Sequence, residues 1–230
     1  MTDLSFQSIA IDGPAGAGKS TVARAAAKEL NFLYVDTGAI YRTVALAVDR
    51  LGIDPGEGEA VARALPALKI RMDHGPSGEQ RMFLGEEDVS KAIRENRVSA
   101  LASKVSALPQ VRAFLLDFQR QLARENNVIM DGRDIGTVVL PRAEVKVFLT
   151  AAPEERARRR FRQMNGRGVQ SFEDVLNDLI RRDRNDMSRA ESPLRCAEDA
   201  VELDSTSLTE DEVVERIVSL LMERTGGERA

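Results

Sequence analysis

The chain has 230 residues, a formal net charge of −4, 43% hydrophobic and 30% charged residues, which suits one domain with attachments or two small domains around a sizeable core. The acidic balance argues against broad attraction to nucleic acid or an anionic membrane, and no stretch approaches the roughly 20 apolar residues of a membrane span. One cysteine, Cys196, and one histidine, His74, exclude an internal disulfide framework and a Cys/His zinc cluster.

The opening MTDLSFQSIAID lacks the basic start and long apolar run of a signal peptide, so the expected location is the cytoplasm. The chain is expected to act as a monomer. Only six of its 33 basic residues are lysine. Arginine therefore supplies most of the positive charge, a weak hint of phosphate recognition that genomic bias could equally produce.

In chain order, SIAI at 8–11 reads as a buried strand, and IDGPAGAGKST at 11–21 follows it. Gly13, four residues, then Gly18, Lys19 and Ser20 match the phosphate-binding loop G-x-x-x-x-G-K-[ST] without a mismatch. The helical pattern KSTVARAAAKEL completes the strand, loop and helix that the motif requires. Glycine lets backbone N–H groups turn around an anion, and the helix N-terminus adds its positive dipole end. Gly13, Pro14, Ala15, Gly16, Ala17, Gly18, Lys19, Ser20 and Thr21 are thus the candidate cradle for ATP. Lys19 would reach the outer phosphates and Ser20 would ligate Mg²⁺, with Thr21 as its neighbour.

A second strand, FLYV at 32–35, leads into DTGAIYR at 36–42. From Leu51 to Leu84 the rhythm breaks: LKIRMD and QRMFLGEE flank the turn-rich HGPSGE and predict an antiparallel hairpin. We expect an insert at about 51–99, with the core formed by 1–50 and 100–225. Further apolar runs at VIM (128–130), VKVFL (145–149) and AVEL (200–203) make five predicted buried parallel strands, and Asp12, Asp36, Asp131 and Asp204 directly follow four of the five. In TEDEVVERIVSLLMER, Val213, Val214, Ile217, Leu220 and Leu221 share one helical face. Strand and helix alternating in this way imply an α/β fold with a five-stranded parallel sheet and ligands outside the carboxyl ends of its strands.

Three segments ask for a second anion: DTGAIYR, then DGRDIGT at 131–137, and RRDRNDMSR at 181–189, the last of which reads equally as a surface salt-bridge network on a charged helix. The run EERARRRFRQMNGRG carries Arg156, Arg158, Arg159, Arg160, Arg162 and Arg167. It is either a solvated helix face or an arginine-rich lid at about 154–170 that neutralises a transferring phosphoryl group. Asp131 either orients Mg²⁺ through water or caps the following turn. No N-K-x-D segment reads guanine. A kinase for a small acceptor and an acceptor-independent nucleotide hydrolase acting as a regulator or RNA-binding protein both remain open.

The stretches IAIDGPAGAGKST, DTGAIYR, SKVSALPQVR, DGRDIGTVVLP, VKVFLTA, RRDRNDMSRAESPL and LDST resemble the bacterial cytidylate kinases almost end to end. The resemblance implies a P-loop kinase fold and transfer of the γ-phosphoryl group from ATP, with Mg²⁺, to CMP and also dCMP. The hairpin insert matches the longer bacterial form, where it enlarges the nucleoside monophosphate domain. Carried over, Thr37, Ser103, Arg112 and Asp134 would surround CMP, with the last three near the cytosine edge. Arg42, Arg133 and Arg182, helped by Arg189, would hold its phosphate, and Asp186 would face the ribose. Lys19, Arg133, Arg182 and Arg159 would act on the transferring group, and Arg158 would contact ATP. Many relatives have serine where this chain has Thr37, which keeps the hydroxyl. UMP and shikimate are the rival acceptors within the same class.

Overall fold

In the computed structural model, residues 6–76, 78–163 and 171–227 are described. A parallel sheet of five strands has the order β2-β6-β1-β7-β8, formed by β1 (Ser8–Asp12), β2 (Leu33–Asp36), β6 (Val128–Gly132), β7 (Val145–Thr150) and β8 (Val201–Asp204). A separate antiparallel sheet comprises β3 (Ile70–His74), β4 (Gln80–Leu84) and β5 (Glu87–Asp88). The chain divides into two compact units, residues 1–33 with 123–230 and residues 34–122.

In the larger unit, β1 pairs in parallel with β6, from Ser8 opposite Val128 to Asp12 opposite Gly132, and with β7, from Ile9 opposite Val145 to Asp12 opposite Phe148. Ile9, Ala10 and Ile11 are fully buried, as a central strand covered on both faces demands of a continuous apolar run. Helix α1 (Lys19–Leu30) buries Val22, Ala23, Ala26 and Ala27, spaced to share a face, and packs on β6 and on α8 (Glu210–Thr225). It ends at Asn31, whose left-handed backbone closes the last turn. In α8 the expected stripe is buried, with Val218 added to it. Thr209 and Glu212 form a reciprocal capping box at its start.

Two sequence expectations need correction. Strand β8 is not a buried strand: it pairs only with β7 in the sheet order and alternates half-buried with exposed residues, as an edge strand can. The aspartates do not follow the strands either. Asp12, Asp36 and Asp204 are the last residues of theirs and Asp131 the last but one, because backbone pairing continues one or two residues beyond the apolar run.

In the smaller unit, Asp36 caps α2 (Thr37–Arg50) by accepting the N–H of Ala39 at 2.8 Å. Helix α3 (Gly58–Ala64) and the hairpin of β3 and β4 follow, in register from Ile70 opposite Leu84 to His74 opposite Gln80. Strand β5, only two residues long, carries no alternation that a sequence reading can detect. Ser77 in the predicted turn lies outside the described residues. Helix α4 (Asn96–Val105) packs along α2, and α5 (Pro109–Glu125) begins just past the end of α4.

Candidate functional site

The loop between β1 and α1 is shaped by what surrounds it. A Cβ on Gly13 would lie 2.0 Å from the backbone oxygen of Leu149, and its φ of +146° is one that side chains rarely permit. Glycine is required there because the neighbouring strand passes that closely. Lys19 is buried, and its Nζ donates to the carbonyls of Gly13 at 2.8 Å and Pro14 at 2.7 Å. Burial, followed by the field of Arg133, holds its ammonium well below the ordinary lysine value. Arg182 acts in the same sense, so Lys19, Arg133 and Arg182 share one electrostatic environment.

Ser20 Oγ donates to Asp131 Oδ2 at 2.8 Å. A hydroxyl and a carboxylate at the start of the helix are hard oxygen donors of the kind Mg²⁺ prefers when phosphates complete its shell. Among the described residues no group of three or more His, Cys, Asp or Glu side chains could hold a metal by itself. His74 instead places Nε2 3.0 Å from the carbonyl of Tyr34, and Cys196 is exposed.

Asp12 has a role that the sequence reading missed. Its two carboxylate oxygens accept the N–H groups of Ile135 at 2.8 Å and Gly136 at 2.7 Å. Burial pushes its carboxyl up to about 6, although these two bonds act the other way. Asp12 thereby ties the end of β1 to the start of a π-helical turn, Ile135–Val139, that follows Arg133 and Asp134. Single-turn π features recur at functional sites. Here one displaces the chain just after the charged pair, with Leu140 N–H bonding to Ile135 C=O at 2.7 Å. Asp134 is buried, and its carbonyl accepts from Val138 and Val139.

On α7 (Phe172–Met187), Asp186 joins two of the predicted arginines. Arg133 Nε donates to one of its oxygens at 2.8 Å, and Arg189 Nη2 to the other at 2.5 Å. Burial alone would raise its pKa, but the two guanidinium groups outweigh this and hold the carboxyl below its ordinary value.

The arginine run is not one uniform set. On α6 (Pro153–Gln163), Arg158 is exposed and pairs with Glu155. Arg159 turns to Ser205, donating to its carbonyl at 2.6 Å and its hydroxyl at 3.0 Å, and approaches the carbonyl of Ala17 at 3.4 Å. Arg156 is buried in an ion pair with Asp183, and nothing in the sequence separates it from its exposed neighbours. Arg167 and the rest of 164–170 lie outside the described residues.

In the smaller unit, Thr37 is buried at the first turn of α2. Arg42 Nη2 donates to Asp36 Oδ2 at 2.8 Å, and its Nε is buried without an acceptor among the described residues. Gln80 of β4 holds the end of β2: its Oε1 accepts the N–H of Asp36 at 2.7 Å and its Nε2 donates to the carbonyl of Asp36 at 3.2 Å. Arg112, nearly buried, donates to the carbonyl of Ser106 at 3.1 Å and stands over the ring of Tyr41 at 5.5 Å. Ser103 lies half-buried on α4. The predicted residues divide between the units: Lys19, Ser20, Asp131, Arg133, Asp134, Arg182, Asp186 and Arg189 belong to one, and Thr37, Arg42, Ser103 and Arg112 to the other.

Residues 9–223 match the protein family described as Cytidylate kinase. The cytidylate kinase of Carboxydothermus hydrogenoformans is 49% identical over 93% of this chain and 96% of its own. That of Mycobacterium leprae is 47% identical over 98% and 99%. Among solved structures, an uncharacterized protein from Eubacterium ventriosum superposes with a TM-score of 0.52 at 12% identity, over 95% of this chain and 99% of that one, a likeness of fold alone. With the family matched over residues 9–223 and relatives identical at about half of the aligned positions across more than nine-tenths of the chain, the chain belongs to the cytidylate kinase family.

Proposed function

We propose that the protein transfers the γ-phosphoryl group of ATP to CMP, and also to dCMP, giving ADP and the corresponding diphosphate. The observation that carries this reading is the family match over residues 9–223, which includes an unbroken phosphate-binding loop. The acceptor is a phosphate oxygen already ionised at neutral pH. The protein therefore needs no nucleophile or general base, and its work is alignment and charge dispersal.

Residues 13–21 cradle the ATP phosphates. Lys19 leaves the carbonyls of Gly13 and Pro14 for the outer phosphates, an exchange favoured because a phosphate offers a buried ammonium full charge compensation. Ser20 would hold Mg²⁺, with Asp131 orienting it through water, and the ion would supply positive charge that neutralises the donor phosphates. Arg42, Arg133 and Arg182, with Arg189, clamp the CMP phosphate. The buried Nε of Arg42, without an acceptor among the described residues, supports this role, since a phosphate would satisfy it. Ser103, Arg112 and Asp134 read cytosine, whose amino donor and carbonyl and ring-nitrogen acceptors require both an acceptor and donors. Thr37 contacts CMP, and Asp186, already holding two arginines, faces its ribose. Arg158 and Arg159 serve the donor side, with Arg159 acting on the transferring group.

We take residues 51–99 as the acceptor insert and 154–170 as the lid. The net charge of −4 supports a protein without nucleic-acid partners. No described helix is long and apolar enough to cross a membrane, and we assign the protein to the cytoplasm as a monomer. The test is ADP release with CMP, dCMP, UMP or no acceptor. Acceleration by CMP and dCMP over UMP is expected, whereas turnover independent of acceptor would overturn the assignment.

A further inference from the structure

We infer that the buried pair Arg156–Asp183 is a positioning device for the phosphate-binding loop, through which helices α6 and α7 set the geometry of the donor phosphates. This rests on the reading that the loop takes ATP. Asp183 Oδ1 accepts the N–H of Ala15 at 3.2 Å, and its Oδ2 accepts Nη1 of Arg156 at 2.5 Å. The same Nη1 donates to the carbonyl of Ala15 at 2.9 Å, while Nε donates to the carbonyl of Ala151 at 2.9 Å. One ion pair thus holds two successive peptide groups of the loop, Pro14–Ala15 by its N–H and Ala15–Gly16 by its C=O.

Packing acts at the same residue. The methyl group of Ala15 sits in a buried cluster with Ala157 of α6 and Val175 and Leu179 of α7, edged by Phe172 and Leu176. At Gly16, φ is +77° and a Cβ would lie 3.3 Å from Cβ of Arg156. The loop is therefore held at this point by its donor, its acceptor and its side chain, all from the two arginine-bearing helices.

Stability alone does not account for an ion pair here. The two side chains are 5% and 10% exposed, and an apolar pair of similar volume commonly stabilises a fold as well or better. A charged fork and a carboxylate supply what apolar groups cannot, namely bonds that match the direction of a peptide N–H and C=O. A displacement of about 1 Å in a reacting group can cost on the order of a hundredfold in rate.

The experiment is steady-state kinetics on Asp183→Asn, which keeps the acceptor for Ala15 N–H but turns an amide donor toward Arg156. The KM for ATP should rise about tenfold or more and kcat should fall, while the KM for CMP stays within about twofold. Arg156→Lys, which keeps the charge and loses the fork, should behave alike. The double variant Arg156→Met, Asp183→Leu replaces the pair with apolar volume, so it guards against a single variant that does not fold. It should melt below the wild type, because Ala15 and Ala151 lose these hydrogen-bond partners, yet unfold cooperatively and still show the ATP defect. A normal KM for ATP and normal kcat in any folded variant overturn the inference, as does a parallel rise in both KM values. Lys19→Ala, run alongside, separates the two readings: if it keeps wild-type turnover, the loop assignment itself is wrong, whereas an inactive Lys19→Ala beside normal Asp183→Asn defeats only the positioning role.

Discussion

Lys19 and Asp12 are buried charges a few residues apart in sequence, held by opposite means. Lys19 has its ammonium on two carbonyls, a pairing that lacks the negative charge a phosphate provides. We expect Lys19→Ala to remain folded by circular dichroism and to lose at least about two orders of magnitude in kcat, because stabilisation of the transferring charge is lost. Asp12 carries a pH dependence with a definite sign. Its folded pKa, about 6, lies above the ordinary aspartate value of 3.8, so the folded state binds a proton more tightly than the unfolded chain does. Its contribution to stability is complete below pH 4 and is lost as the pH rises through about 6. Asp12→Asn should be destabilising throughout, because its amide meets one of the N–H donors of Ile135 and Gly136. The penalty should be smaller at pH 7 than at pH 4.5 by about 2 kcal/mol, measured by urea unfolding. A pH-independent difference would show that Asp12 does not titrate in this way. Lys19 was legible in the sequence because its motif is contiguous; the partners of Asp12 lie more than 120 positions away, and no local pattern announces them.

At the level of elements, local chemistry explains several boundaries. Thr209 and Glu212 cap α8 reciprocally, and Ser171 with Asp174 does the same for α7. Thr209→Ala should cost about 1 kcal/mol in urea unfolding and leave kcat unchanged, since the cap serves only the helix. Strand β4 has a more specific consequence. Gln80 bonds both backbone groups of Asp36, the residue that caps α2 and pairs with Arg42. Gln80→Ala should therefore raise the KM for CMP by about tenfold and that for ATP by less than about twofold, because it loosens the start of the helix bearing Thr37 and Arg42. Equal effects on both would remove this role. The hairpin itself was evident from two alternating stretches around a turn cluster. Its grip on β2 was not, since a glutamine in an alternating strand looks like any solvated polar position.

For the whole molecule, binding is read through stability: a ligand that binds only the folded chain at a hundred times its Kd adds about 2.7 kcal/mol. CMP and an unreactive ATP analogue should each raise the melting temperature of the wild type. In Lys19→Ala the shift with the ATP analogue should shrink while that with CMP persists, and loss of both would place the two nucleotides on one set of groups. By itself the sequence determined the phosphate-binding loop, the alternation that builds the parallel sheet, the antiparallel hairpin and the arginine-bearing segments proposed for the acceptor side. Each is written in neighbouring residues, where periodicity and turn chemistry act over a few positions. Only the tertiary structure decided that β8 is a half-exposed edge, that Asp12 anchors the turn after Asp134, and that Arg156, alone among its neighbouring arginines, is buried on Asp183 against the loop. Those outcomes depend on which distant groups are desolvated together, and burial sets the strength of a charge's partnership in a way that its place in the chain does not record.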